Sequence, residues 1–116
     1  MIGLGVDAVD VDRFATVLER QPRMAGRLFT DDERAVEAAP RLAARFAVKE
    51  AVMKALGVGL GAFAWHDVET VRTESGAPEL VLRGAAAELA VDRGVTRWLV
   101  SLTHTDTTAV AVVAAL

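Results

Sequence analysis

The chain has 116 residues, 53% of them hydrophobic and only 5% aromatic, with a formal net charge of -3. That length implies one domain, residues 1–116, whose excess of small apolar side chains suits close-packed elements and a subunit interface rather than a large ligand cavity. An acidic balance without a basic stripe excludes general nucleic-acid binding, the lack of cysteine excludes disulfides and thiolate metal sites, and no apolar run reaches membrane-spanning length.

Met1 leads directly into Ile2-Gly-Leu-Gly-Val-Asp7 without a basic segment, so no secretory signal is expected and a soluble cytoplasmic domain is the default. Ile2, Leu4 and Val6 alternate with Gly3, Gly5 and Asp7, the period of a short strand. Its glycine face would let another backbone approach closely, although a simple Gly-rich edge has the same pattern. From Val9 to Arg20, apolar positions Val11, Phe14, Val17 and Leu18 recur at helical spacing, and Pro22 marks the end. Thr30-Asp-Asp-Glu33 has the form of a capping box and predicts a short second helix that stops before Pro40. The main helix is expected from Arg41 to Leu56, closed by Gly57, with Gly59 and Gly61 beyond.

Asp67 to Thr73 and Glu79 to Arg83 form a predicted hairpin around Glu74-Ser-Gly-Ala-Pro78, and Ala85 to Arg93 a further helix. Arg97 to Thr103 and Thr108 to Ala114 make a second hairpin with His104-Thr-Asp-Thr107 at its tip. The sum is an α+β domain with an antiparallel sheet packed on a long central helix.

The main helix carries the residues best suited to chemistry. Taking 100° per residue, Phe46 and Lys54 fall about 40° to either side of Glu50, whereas Lys49 lies about 100° and Arg45 about 140° round. Glu50 and Lys54 therefore share a face. They suit either an ordinary i,i+4 ion pair or half of a site in which the acid holds a cation and the base a phosphate. Asp7 is the natural second carboxylate, since Mg²⁺ is held by one or two carboxylates with waters and phosphate oxygens. An Asp there also serves as N-cap of the following helix, and the spacing leaves both roles open.

Ser101 and His104 invite a nucleophile–base pairing, but alternation places them on opposite strand faces without a third member. A histidine flanked by hydroxyls at a strand end suits phosphate contact instead, and a solvent-exposed loop histidine has the same pattern. Gly57, Gly59 and Gly61 follow a helix, so they are no dinucleotide or Walker fingerprint.

Taken together, five segments resemble one family, holo-[acyl-carrier-protein] synthase, the small phosphopantetheinyl transferase class. They are Gly3-Leu-Gly-Val-Asp7, Arg27-Leu-Phe-Thr-Asp-Asp-Glu33, Ala44-Arg-Phe-Ala-Val-Lys-Glu-Ala-Val-Met-Lys-Ala-Leu-Gly-Val-Gly59, Gly76-Ala-Pro78 and Val100-Ser-Leu-Thr-His-Thr105. They stand in the family's order across nearly the whole chain. The resemblance implies a 4′-phosphopantetheinyl transferase-like fold and transfer of the 4′-phosphopantetheine arm from coenzyme A to a serine of apo-acyl carrier protein. Adenosine 3′,5′-bisphosphate would be released, in a homotrimer with active sites between subunits.

The resemblance also implies roles for single residues. Asp7 and Glu50 match the family's Mg²⁺ ligands, and Lys54 its pyrophosphate-binding lysine, which makes these three the catalytic set. Arg45 and His104, with Thr103 and Thr105 beside the latter and Gly57 and Gly59 after the helix, fall on the coenzyme A side. Arg13, Arg23 and Arg27 match basic residues that meet an acidic carrier helix, and Arg20 joins them by charge alone. Such contacts steer encounter and weaken with salt. Two features depart from the pattern: Ala77 stands where many relatives carry a basic residue, and the segment from Glu33 to Arg41 is short.

Overall fold

A computed structural model describes residues 1–116. The elements in order are β1 (Gly3–Asp10), α1 (Val11–Arg20), α2 (Met24–Leu28), α3 (Asp31–Arg34) and α4 (Ala39–Leu56). A short 3₁₀ turn (Trp65–Asp67) then precedes β2 (Val68–Arg72), β3 (Pro78–Leu82), α5 (Gly84–Asp92), β4 (Trp98–His104) and β5 (Thr108–Ala115). The strands form an antiparallel three-stranded sheet, ordered β1-β5-β4, and a separate β2-β3 hairpin. The expected α+β architecture around a central helix is observed. No helix is long and apolar enough to cross a membrane.

Local signals explain most of the boundaries. Pro40 sits in the first turn of α4, where a missing N–H costs nothing. Gly57 closes the helix at φ 69°, donating to Lys54 O at 3.1 Å while Val58 N donates to Met53 O at 2.9 Å, the Schellman arrangement. The Thr30–Glu33 capping box opens α3, although that helix lasts only to Arg34. Nothing in the apolar spacing announces α2.

One expected boundary is corrected. The strand continues past Asp7 because its pairing with β5 runs on to Asp10↔Thr108. The N-cap of α1 is therefore Asp10, whose carboxylate accepts from Arg13 N at 2.9 Å, and Asp7 is free of that role.

Packing follows from two faces of one sheet. Gly3, Gly5 and Asp7 face α4, and β1 lies so close that a Cβ on Gly3 or Gly5 would stand 1.8 Å from Ala55 O or Ala51 O. The glycine strand is thus a backbone-approach face, not a loose edge. Beside it Ala109, Ala111, Val113 and Ala115 of β5 are fully buried against the same helix. With β2 covering part of its other side, α4 is buried on most of its circumference, which accounts for its weak amphipathic pattern. On the outer face of the sheet, Ile2, Leu4, Val6, Leu99 and Val112 are exposed apolar side chains.

Candidate active site

The close seating of β1 on α4 brings Asp7 to Glu50 and Lys54. Lys54 Nζ donates to Asp7 Oδ1 at 3.1 Å and to the Val6 carbonyl at 2.9 Å. The i,i+4 pairing of Glu50 with Lys54 is therefore not the arrangement found: the lysine reaches across to the strand. Glu50 is left partly buried beside a second carboxylate. Burial pushes its pKa up, the Asp7 charge adds to this, and Lys54 opposes both. The ammonium pairs with Asp7 alone, and the surplus negative charge of Glu50 suits a hard cation held by few protein oxygens. Asp7 and Glu50 are the residues able to hold it, and no third His, Cys, Asp or Glu joins them.

These carboxylates stand at one end of a broad, largely apolar cleft lined by Phe14, Val17, Leu28, Phe46, Leu60 and Trp65, with Arg13 on its rim. Phe14, Phe46 and Trp65 pack in sequence as tilted pairs at centroid distances of 5.2 and 5.4 Å, forming an aromatic floor. Met24 belongs both to this cleft and to a shallow depression bounded by Arg23 and Arg27. Arg13, Arg23 and Arg27 thus rim one continuous surface, with Arg20 exposed at the end of α1.

A second cleft lies elsewhere, between α4, β2, the β2-β3 turn and the end of β4. Arg41, Arg45, Thr70, Arg72, Thr103 and His104 line it, along with Gly76 and Pro78 of the Gly-Ala-Pro turn. Arg45 is 6% exposed, its Nε has no partner, and its one hydrogen bond, to Arg41 O, is 3.4 Å long. Burial, and then repulsion from Arg41, hold its pKa below the ordinary arginine value; Glu33 opposes this and Arg72 adds to it. None of Arg41, Arg45 and Arg72 is in an ion pair, and the buried hydroxyl of Thr70 is also unpartnered. Buried donors without partners are costly. The three guanidiniums have no ion-pair partner, although Asp32 and Glu69 border the same arginines on one side, and such a cluster suits a multiply charged anion.

The two clefts share no lining residue. The helical angles place Arg45 away from the Glu50 face, and the structure agrees. Thr103 and His104 are brought to Arg45. Thr105 is not, because its hydroxyl accepts from the backbone N–H groups of Thr107 and Thr108 at 3.2 and 3.0 Å and shapes the loop. Gly57 and Gly59 line neither cleft. Arg41, one turn before Arg45 on α4, was legible from helical spacing and was overlooked, whereas Arg72 becomes a neighbour of Arg45 only through the packing of α4 against β2.

In sequence and in fold the chain is similar to one family of known proteins. Residues 3–113 match the family described as ACPS, the 4′-phosphopantetheinyl transferase superfamily. The chain is 50% identical over 115 residues to the holo-[acyl-carrier-protein] synthase of Frankia alni, covering 99% of this chain and 97% of that one. Among solved structures, the holo-[acyl-carrier-protein] synthase of Neisseria meningitidis superposes with a TM-score of 0.90 at 29% identity, covering 100% of this chain and 98% of that one. The Helicobacter pylori enzyme, solved in complex with coenzyme A, gives 0.87 at 26% identity, with 97% and 99% covered.

Proposed function

The chain belongs to the 4′-phosphopantetheinyl transferase superfamily, and from that premise we propose that it moves the 4′-phosphopantetheine arm of coenzyme A onto a serine of an apo-acyl carrier protein. The products are holo-acyl carrier protein and adenosine 3′,5′-bisphosphate. The observation that carries the proposal is the pair of complementary clefts. One offers carboxylates, a lysine and an apolar trough; the other offers unpaired guanidiniums.

In this scheme Arg45 and His104 hold the 3′-phosphate of coenzyme A, and Arg41, Arg72 and Thr103 complete the anion cleft. Asp7 and Glu50 are the residues that would hold Mg²⁺, whose charge would neutralise the pyrophosphate. Lys54 turns from Asp7 to the phosphate and stabilises charge on the leaving group as the serine attacks in line. In this scheme Glu50, beside the attacking hydroxyl, also takes the serine proton. The apolar trough accepts the pantetheine arm, and Arg13, Arg20, Arg23 and Arg27 orient the acidic carrier at its rim.

The clefts are separate on one chain, whereas coenzyme A must reach both, so we place the complete site between subunits of a homotrimer. The exposed apolar face of Ile2, Leu4, Val6, Leu99 and Val112 supports self-association. Mass spectrometry of an apo-acyl carrier protein incubated with the enzyme, coenzyme A and Mg²⁺ tests the reaction. One added phosphopantetheine on a single serine is expected. Release of the bisphosphate without a carrier would mark a hydrolase instead, and an unchanged carrier would refute the proposal.

A further inference from the structure

Lys49 follows Arg45 by one turn and precedes Glu50, yet it reaches neither cleft. Its side chain is 1% exposed and that of Glu33 is 0% exposed, and the two meet at 2.9 Å. The ammonium also donates to the carbonyls of Trp65, at 2.9 Å, and of Val68. Glu33 is equally occupied. One oxygen accepts from Thr30 N and Lys49, each near 3 Å, and the other accepts from Thr70 N at 3.1 Å. Thr30 in turn donates to Glu69 at 2.8 Å, and Arg83 to the same carboxylate at 2.6 Å.

This network occupies a particular place. Trp65 belongs to the aromatic floor of the cleft that holds Glu50. Thr70 and the neighbouring Arg72 form the wall of the anion cleft opposite Arg45. One buried ion pair therefore ties α4 to the backbone of both walls. A fully buried charge pair adds little net stability over a well-packed apolar pair, so its presence calls for another role.

We propose that Lys49 and Glu33 are positioning residues that fix the gap between α4 and β2, holding Thr70 and Arg72 at the distance from Arg45 that the anionic end of the substrate requires. This rests on the transferase function proposed above. Neither residue touches substrate. Their effect passes through the backbone amide of Thr70 and the carbonyls of Trp65 and Val68.

Glu33→Gln is the discriminating variant. It keeps length and volume but has one acceptor oxygen, so either Thr70 N or the Lys49–Thr30 side loses its partner. Kinetics with coenzyme A and hydrogen exchange at the Thr70 amide are then compared with wild type. The expected result is a folded protein whose Thr70 amide exchanges roughly tenfold faster and whose KM for coenzyme A rises roughly tenfold, with kcat within about threefold. If Glu33→Gln does not fold, Lys49→Gln, which keeps a donor for one of the two carbonyls, carries the same comparison.

A folded variant with wild-type KM and unchanged Thr70 exchange overturns the proposal. So does a fall in kcat at constant KM, which would place the pair in the chemistry. The exchange measurement needs no turnover. A wild-type protein that modifies no carrier would thus refute the transferase function, while Thr70 exchange would still decide whether the clamp exists.

Discussion

Asp7, Glu50 and Lys54 come from a strand and a helix in direct backbone contact, whereas the anion cleft draws on α4, both strands of the small hairpin and the end of β4. The first group is set by steric closeness: Gly3 and Gly5 let β1 lie on α4, and Lys54 already has Asp7 as a partner. The second is a set of cations without ion-pair partners, whose mutual repulsion adds to the burial cost of Arg45, beside a buried clamp. A corner that holds an ion pair beside a surplus carboxylate is poised for chemistry that rearranges those charges. A site with unsatisfied donors is poised for uniform binding. The contrast predicts that damage to the first region lowers kcat and damage to the second raises KM.

The largest effect should come from the acidic corner. Lys54→Ala and Glu50→Gln are expected to lower kcat by roughly 10²–10³ while changing KM for coenzyme A far less, measured by steady-state transfer to a carrier. A fall within a few-fold would remove these residues from the chemistry. Arg45→Ala should act in the opposite sense, raising KM for coenzyme A roughly a hundredfold, as loss of a buried charged contact does. With dephospho-coenzyme A, which lacks the 3′-phosphate, Arg45→Ala and wild type should differ little.

Gly5→Ala probes the contact that builds the corner. An added Cβ meets Ala51 O at 1.8 Å, so the strand must move, and a loss of about 3 kcal/mol is expected by chemical denaturation. Wild-type stability in that variant would show that β1 does not lie on α4 as described.

The pH dependence is gentler. In the metal-free protein, burial and Asp7 hold the Glu50 pKa above the ordinary Glu value of about 4.3, whereas a bound cation would draw it down. The same shift acts on stability with a definite sign. The folded form holds the Glu50 proton more tightly, so this contribution is full below the unfolded pKa and is lost as pH rises through the folded one. Glu50→Gln should flatten that part of the stability profile.

Much of this was legible in the sequence, for reasons particular residues make plain. The Gly57 cap, the Thr30–Glu33 box, the glycine strand and both hairpins are signalled within a few residues of where they act. The separation of Arg45 from Glu50 follows from helical angle alone. Partners chosen by tertiary contact were not legible. Lys54 takes Asp7 instead of Glu50 because β1 crosses beside it, and Asp10 displaces Asp7 as the cap because pairing with β5 continues. Glu33 does form its capping box, but its carboxylate also meets Lys49, which the local motif cannot specify. The available signal was the lysine itself: an ammonium in a helix of alanines and valines needs a buried anion.

The comparison also fixes how the two clefts must cooperate, since no residue is common to both. Glu50→Gln and Arg45→Ala, each crippled alone, can be co-expressed with different tags and the mixed oligomer isolated. If the complete site spans two subunits, some interfaces in that oligomer combine an intact Glu50 corner with an intact Arg45 cleft, and a substantial fraction of wild-type transfer should return. Activity no greater than the average of the two variants would contradict the account and assign both clefts to one chain.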